Sequence, residues 1–558
     1  MNAKVSNCNL RLIMCMRIAP VVLAVTSING SLSAEQGMYF GKKQYEPRPL
    51  PVFEATRDKL PSPIFDEDPN YVRCYWKAWE LAFRNFHEPA RGSGFVSQFI
   101  DAAFNQNIFL WDTCFMTMFC NYAHPYVPSI GSLDNFYIKQ HEDGEICREI
   151  NRTTGVDFEQ WVNKDNEPMF SRWGYTLMET GQKRVSVVYE GRPAPTPNPK
   201  LTIDALNHPI FAWAEMESLR LTDDKDRLRF IWNPLVQYYA ALQKYLRQGN
   251  GLYLTDWASM DNSTRNKYLE PGGTGIDISC EMVLFARQLG IIADYLGKRT
   301  EGGMYRRDAE ELVTLINRHM WDPQRKFYFD LTAKGERAPV KSIAAFWAML
   351  AQVASKSQAE ALVAELENPA TFKTVHRVPT LAANEPGFDP NGGYWVGAVW
   401  APTDKMVMAG LENYGYADQA REIALNHLRN VIAVFKETGT LWENYAPQQV
   451  AHGEPAKGDF VGWSGIGPIA LFIEYAIGIR ADATRNRITW DIRSPERVGV
   501  ERLWFGGKTV SLVCEKADAS GTRTVTVKSD GAFDLAIKWQ GKIEEVPVRA
   551  GKEIQVRL

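Results

Sequence analysis

Two acidic residues occupy connectors where a carboxylate is chemically conspicuous. Asp261 lies in LTDWASMDNSTRNKYLEPGGTGIDIS (Leu254–Ser279), a stretch too rich in glycine to be helical throughout. Glu443 lies in GTLWENYAPQQ (Gly439–Gln449). Each has Trp, Asn and Tyr close by in sequence. Two acids from separate helical hairpins, facing each other across a funnel, have the layout that glycoside hydrolysis requires. One protonates the leaving oxygen, and the other activates water or attacks carbon. Aromatic walls exclude water and raise the pKa of the acid that must stay protonated. The aromatic share is 12%, with 17 Trp; flat rings stack on the apolar faces of sugars, so a carbohydrate is the expected partner.

Composition narrows the alternatives. Apolar residues make up 45% and charged residues 23%, and the net charge of -3 gives no reason to expect nucleic acid. Beyond the N-terminal stretch, the cysteines are dispersed without a CxxC, and the eight histidines show no HExxH or His/Cys cluster. No metal or cofactor is expected on that pattern. Lys4, Arg11 and Arg17 precede the apolar run Ile18–Val25 and the small residues SLSA, which predicts an export signal over 1–34. That run is too short to span a bilayer, and no other segment could. Asn262-Ser263-Thr264 is a glycosylation sequon beside Asp261. A glycan there would block the site, so the expected location is a bacterial periplasm or cell surface. The oligomeric state is not legible.

The elements that must position the two acids follow from periodicity. Residues 35–70 are rich in Pro and charge and read as an extended arm. From 71 to 479, segments such as HPIFAWAEMESLRL, SCEMVLFARQLGIIADYLGK and YADQAREIALNHLRNVIAVFKE repeat apolar residues at three- and four-residue steps, the pattern of helices with one buried face. From 480 to 558, seven segments alternate apolar and polar residues between Gly, Asp or Ser turns, which predicts a small antiparallel β-sandwich-like domain. A helical domain of this length without a fixed repeat predicts an (α/α)6 toroid, whose loops on one face line a funnel.

Four segments, in order, resemble the (α/α)6 inverting glycosidases that include trehalases and glycoside hydrolase family 63, the processing α-glucosidases and mannosylglycerate hydrolases. They are NIFLWDTCFMTMF (Asn107–Phe119), WASMDNSTR (Trp257–Arg265), GYWVGAVWAPTDKMVMAGLENYGY (Gly393–Tyr416), and LWENYAPQ followed by FVGWSG. The resemblance implies Asp261 as general acid and Glu443 as general base, with inversion and carboxyl groups roughly 6.5–9.5 Å apart. It implies sugar contacts from Trp111 and Asp112, and pocket wall from Trp395, Trp400 and Trp463. Trp257 stands at the head of the acid segment and is expected in the substrate site. Arg265 falls on the family arginine after the acid, either touching ligand or pairing with a loop carboxylate. Arg148, in GEICREI, resembles a family segment that reaches the pocket. Asp277 is expected to cap the following helix, and Asp256 to support the loop.

The chain departs from the family at Ser259, Met260 and Thr264 in the acid loop, and at Val396, Asp404 and Lys405 later. These departures leave the sugar open: an α-linked glycoside cleaved by an exo-acting enzyme, a rhamnoside or uronide side chain, or binding without catalysis. A polysaccharide lyase shares the toroid-plus-β layout but would rely on Tyr/His or Lys/Arg with a neutralised uronate.

Overall fold

The computed structural model describes residues 37–41, 43–156, 162–163, 202–203, 208–269 and 272–558. The expected export segment, 1–34, lies outside them. In chain order the longer helices and their short companions are α1 (Pro69–Arg84), α2 (Leu110–Cys120), α3 (Phe211–Thr222), α4 (Lys225–Leu246), α5 (Ile276–Tyr295), α6 (Arg299–His319), α7 (Trp347–Leu350, extending a tight turn Ile343–Phe346), α8 (Lys356–Leu366), α9 (Ala401–Asn413), α10 (Ala417–Thr438) and α11 (Gly467–Ile477, a π-helix entered through a turn at Trp463–Ile466).

Burial sorts these helices into two rings. Every residue of α2 except Trp111 is buried, and α11 is buried throughout. By contrast α6 buries only Gly302, Ala309, Leu312 and Ile316, a stripe at helical spacing with charge on its other faces. The inner helices close on themselves. α2 packs on α3, α3 on α5, α5 on α7, α7 on α9, α9 on the 463–466 turn, and that turn on α2. The outer helices lie against this ring, with α6 on α5 and α10 on α9, α11 and α1. This is the (α/α)6 toroid.

Local chemistry sets the boundaries. α1 begins with Pro69 at its first position and Asp68 as cap, whose side chain accepts the Asn70 N–H at 2.9 Å. α8 starts with a reciprocal Ser355/Gln358 capping box. α10 stops at Gly439, which takes φ +73° to close the last turn, a conformation that costs glycine little.

The strands are β1 (Ser62–Phe65), β2 (Ile479–Asp482), β3 (Arg487–Asp491), β4 (Val498–Phe505), β5 (Lys508–Cys514), β6 (Thr524–Ser529), β7 (Phe533–Trp539), β8 (Lys542–Val548) and β9 (Ile554–Arg557). One sheet has the order β1-β4-β5-β6-β9 and is antiparallel; the other is β2-β3-β7-β8. The alternating segments of the sequence correspond to β3–β9. Two strands are additional. β1 comes from the N-terminal arm and pairs antiparallel with β4, Ser62 opposite Glu501, and β2 follows directly on the last inner helix. The second sheet is mixed, because β3 and β7 run parallel. Alternation reveals a strand but not its neighbour, so this pairing has no sequence signature. Residues 35–558 form one compact unit.

Candidate active site

The candidate residues converge because they precede or begin inner helices. Trp111 and Asp112 open α2, the 256–265 loop leads towards α5, Tyr394–Trp400 lead into α9, and Glu443 and Trp463 precede α11. A hairpin supplies one more pair. Asn107–Phe109 pairs antiparallel with Glu149–Asn151, and Leu110 N–H donates to Arg148 C=O at 2.9 Å. This brings Arg148 and Glu149 beside the start of α2.

Glu443 is 6% exposed and tightly held. The Tyr394 hydroxyl donates to Oε1 at 2.9 Å, and the Lys457 backbone N–H donates to Oε2 at 3.0 Å. Donors on both oxygens favour the carboxylate, the form a base needs. Its own C=O accepts from Trp463 Nε1 at 3.0 Å.

Asp261 is half-buried, and its loop is joined to the base by side-chain clamps. Asn262 donates to Gly393 C=O and accepts from Trp395 N–H, both at 2.9 Å, bracketing the Tyr394 that holds Glu443. Asn266 donates to the carbonyls of Met260 (3.0 Å) and Asp261 (3.1 Å). The bonded chain between the two carboxylates therefore runs Asp261, Asn262, the 393–395 turn, Tyr394, Glu443. The sequon asparagine is fully engaged in this clamp.

Arg148 faces several acids here. Burial works against its charge, but Glu149, Asp261, Asp112 and Asp256 outweigh that effect and raise its pKa. Burial raises Glu149, with Arg148 and the Asn107 amide opposing. Asp112 is 7% exposed; burial pushes its carboxyl up to about 8, with Arg148 pulling the other way. Its Oδ1 and Trp111 Nε1 meet no hydrogen-bond partner among the described protein groups. These are the polar atoms a sugar hydroxyl could engage.

The tryptophans form one layer with distinct duties. Trp111 is partly exposed, with its ring 6.2 Å from Trp395 and 5.8 Å from Trp463. Trp395 stacks on Trp400 at 4.6 Å and 10°. Trp400 is fully buried, and its indole N–H donates to Tyr394 C=O at 3.3 Å. Trp463 is 3% exposed and spends its N–H on Glu443. Trp400 is therefore not the pocket wall expected from sequence but backs Trp395, whereas Trp463 bonds the Glu443 backbone with its ring beside Trp111. Trp257 falls in the Trp257–Ser259 turn, but its side chain lies outside the described residues.

Arg265 takes the second of its two expected roles, pairing with carboxylates rather than touching ligand. It is fully buried, donating to Asp277 Oδ2 at 2.6 Å and Ser259 Oγ at 3.0 Å, with Asp330 3.4 Å from its other guanidinium nitrogen. A guanidinium with no solvent access can only brace the loop. Asp277 is not the helix cap. Gly275 holds that position, and Asp330 accepts the Ile276 N–H at 2.9 Å instead. Asp256 is buried and turns the loop by accepting the Ala258 N–H at 3.0 Å.

His208 carried no sequence signal. Its Nδ1–H meets the two Glu281 oxygens at 2.7 and 2.8 Å, and its Nε2–H donates to Ser259 C=O at 3.1 Å. Burial opposes the charge, but Glu281 and these hydrogen bonds raise its pKa to about 9. The imidazolium pins the acid loop two residues before Asp261, with its ring 6.0 Å from Trp111. Nothing in LNHPIFAW distinguishes it from an ordinary helix-start histidine.

A closed ring of inner helices, with carboxylates and tryptophans gathered at their leading ends, defines a carbohydrate-active (α/α)6 enzyme. Residues 191–464 match the mannosylglycerate hydrolase MGH1-like glycoside hydrolase domain. An uncharacterised Borreliella burgdorferi protein is 25% identical over 454 residues, covering 79% of this chain and 86% of that one. The mannosylglycerate hydrolase of Rubrobacter radiotolerans is 30% identical over 183 residues, 32% of this chain and 39% of that enzyme. The solved glycoside hydrolase family 63 mannosylglycerate hydrolase of Thermus thermophilus shares the fold at TM-score 0.51, with 20% identity, 72% of this chain covered and 99% of that one. The segment 191–464 is therefore similar to a glycoside hydrolase domain, and the chain has the fold of the family 63 hydrolases.

Proposed function

We propose that the protein is an exported, inverting, exo-acting α-glycosidase in which Asp261 protonates the leaving oxygen and Glu443 draws a proton from water. One observation carries the assignment: Asn262 and Tyr394 bond the acid loop and the base into a single frame floored by tryptophan. Water attacks the anomeric carbon as the bond to the leaving oxygen breaks. Its proton passes to Glu443, Asp261 gives its proton to the leaving group, and solvent exchange resets both.

Charge bears on the sugar. Around Arg148 stand Glu149, Asp261, Asp112 and Asp256, while the positive His208 is matched by Glu281. Arg148 already has Glu149 at 3.9 Å and His208 has Glu281 at 2.7 Å, so neither cation is spare for a uronate and a neutral glycosyl unit fits better. The buried tryptophan floor favours removal of a terminal unit. Among the described residues no helix is long and apolar enough to cross a membrane, and an Asn262 committed to the loop clamp suits a bacterial exported route without glycosylation.

The test is a panel of α-glucosides, α-mannosides, rhamnosides and uronides, including trehalose and mannosylglycerate, with the anomer of fresh product read by NMR. Release of a neutral sugar with inverted configuration is expected. Retention of configuration, or turnover of uronides alone, would sink the reading.

A further inference from the structure

Outside the acid–base site, three metal-ligand side chains from different elements meet in the interior. They are His376, from the connector between α8 and α9, Asp404 in the first turn of α9, and His427 in α10. None is more than 1% exposed. Their ligand atoms lie within 4.8 Å of one another, and among the described residues this is the one such group. His376 Nε2 is 3.0 Å from His427 Nδ1, and the same Nδ1 is 3.0 Å from Asp404 Oδ2.

Protons serve this arrangement poorly. A neutral imidazole nitrogen donates or accepts but does not do both. If His427 Nδ1 carries hydrogen, that single N–H is divided between Asp404 Oδ2 and a lone pair on His376 Nε2. If it holds a lone pair, it can take the His376 proton but then faces the Asp404 oxygen lone pair to lone pair. Asp404 Oδ1 is occupied by the Val378 N–H at 2.9 Å, whereas the buried Oδ2 meets no donor in hydrogen-bonding geometry. The outward nitrogens, His376 Nδ1 and His427 Nε2, also lack partners among the described residues, so nothing there fixes the tautomers against presenting two inward lone pairs.

We propose that His376 Nε2, His427 Nδ1 and Asp404 Oδ2 bind a divalent transition metal of the zinc class. Two imidazoles and a carboxylate form a donor set that zinc accepts, at about 2.0–2.2 Å per bond. Donors at that distance in a tetrahedron stand about 3.4 Å apart, so the two pairs at 3.0 Å open by a few tenths of an ångström while the third, His376 Nε2 to Asp404 Oδ2, already within 4.8 Å, settles to the same spacing. Three protein donors leave a fourth position for water. The role would be structural, because the ring of Tyr445 lies 5.5 Å from His376 and 6.2 Å from His427, and the His376 backbone N–H donates to Pro447 C=O at 2.9 Å. The ion would fasten α9 and α10 beneath the segment that carries Glu443. It does not depend on which sugar the enzyme cleaves, nor on its being a glycosidase.

The experiment uses the full chain without a histidine tag, stripped with chelator, reloaded with Zn(II) and passed through gel filtration. About one zinc per chain should be retained, with a higher melting temperature than the stripped protein. Co(II) in its place should give the visible absorption of a low-coordinate nitrogen–oxygen site. Asp404→Asn and His376→Gln should each lose the retained ion. Should those variants fail to fold, the wild-type stoichiometry and cobalt spectrum still decide. Wild-type protein that retains no zinc and melts unchanged overturns the proposal, and so do folded variants that hold zinc as well as wild type.

Discussion

The loops carrying Asp261 and Glu443 do the same structural job by different means. Glu443 is almost enclosed, with a hydroxyl on one carboxylate oxygen and a backbone N–H on the other. Asp261 is half-buried, and the rigidity of its loop comes from neighbours: Asn262 and Asn266 within it, His208–Glu281 and Arg265–Asp277 behind it. The contrast suits the two tasks proposed for them. A base must stay ionised and aim at a small water molecule, so it is fixed directly. An acid must meet leaving groups of varied shape and exchange its proton, so it stays accessible while its backbone is held.

The comparison breaks first at the carboxylates themselves. Asp261→Asn and Glu443→Gln should each lower kcat about 10³-fold or more, since general acid–base steps contribute on the order of 10²–10⁴. If Glu443→Gln keeps near-normal turnover, the base is another residue. Next in size, Tyr394→Phe removes one donor to the carboxylate and should cost roughly 10- to 100-fold in kcat with little change in KM. A pure KM effect would mean that Tyr394 binds sugar rather than aiming the base.

The indirect bracing of the acid loop should show as pH-dependent stability. His208 is raised from an unfolded value of about 6.5 to about 9. The contribution is therefore complete below pH ~6.5 and is lost as pH rises towards ~9, on the order of 3 kcal/mol. Thermal melts of His208→Gln should lack that slope; an unchanged slope would show that the pair does not support the loop. The smallest effects separate the tryptophans. Trp111→Ala should raise KM about 3- to 10-fold, whereas Trp400→Phe should lower the melting temperature and leave KM alone. Equal KM effects would mean that both rings touch substrate.

Much was readable before any fold was seen. Apolar spacing gave the helices, alternation gave β3–β9, and the linear motifs drew attention to both carboxylates and to Trp111, Asp112 and Arg148. Misreadings clustered where neighbours decide the role. The motif leaves Arg265 open between ligand and loop carboxylate because it records residue type, whereas its burial against Asp277 and Asp330 depends on how the loop folds onto α5 and the 330 segment. Trp400 reads as pocket wall for the same reason, and its full burial is a tertiary fact.

What the sequence determined by itself is local: periodicity, turn chemistry and short motifs act over a few residues, and these name the toroid and the β-region strands and single out the two carboxylates proposed as acid and base. Only the tertiary structure brought β1 to β4, ran β3 parallel to β7, and set His208 against Glu281 and His376 beside Asp404 and His427. Those partners lie tens to hundreds of residues apart. Ring closure fixes their distances, and no short window of sequence records it.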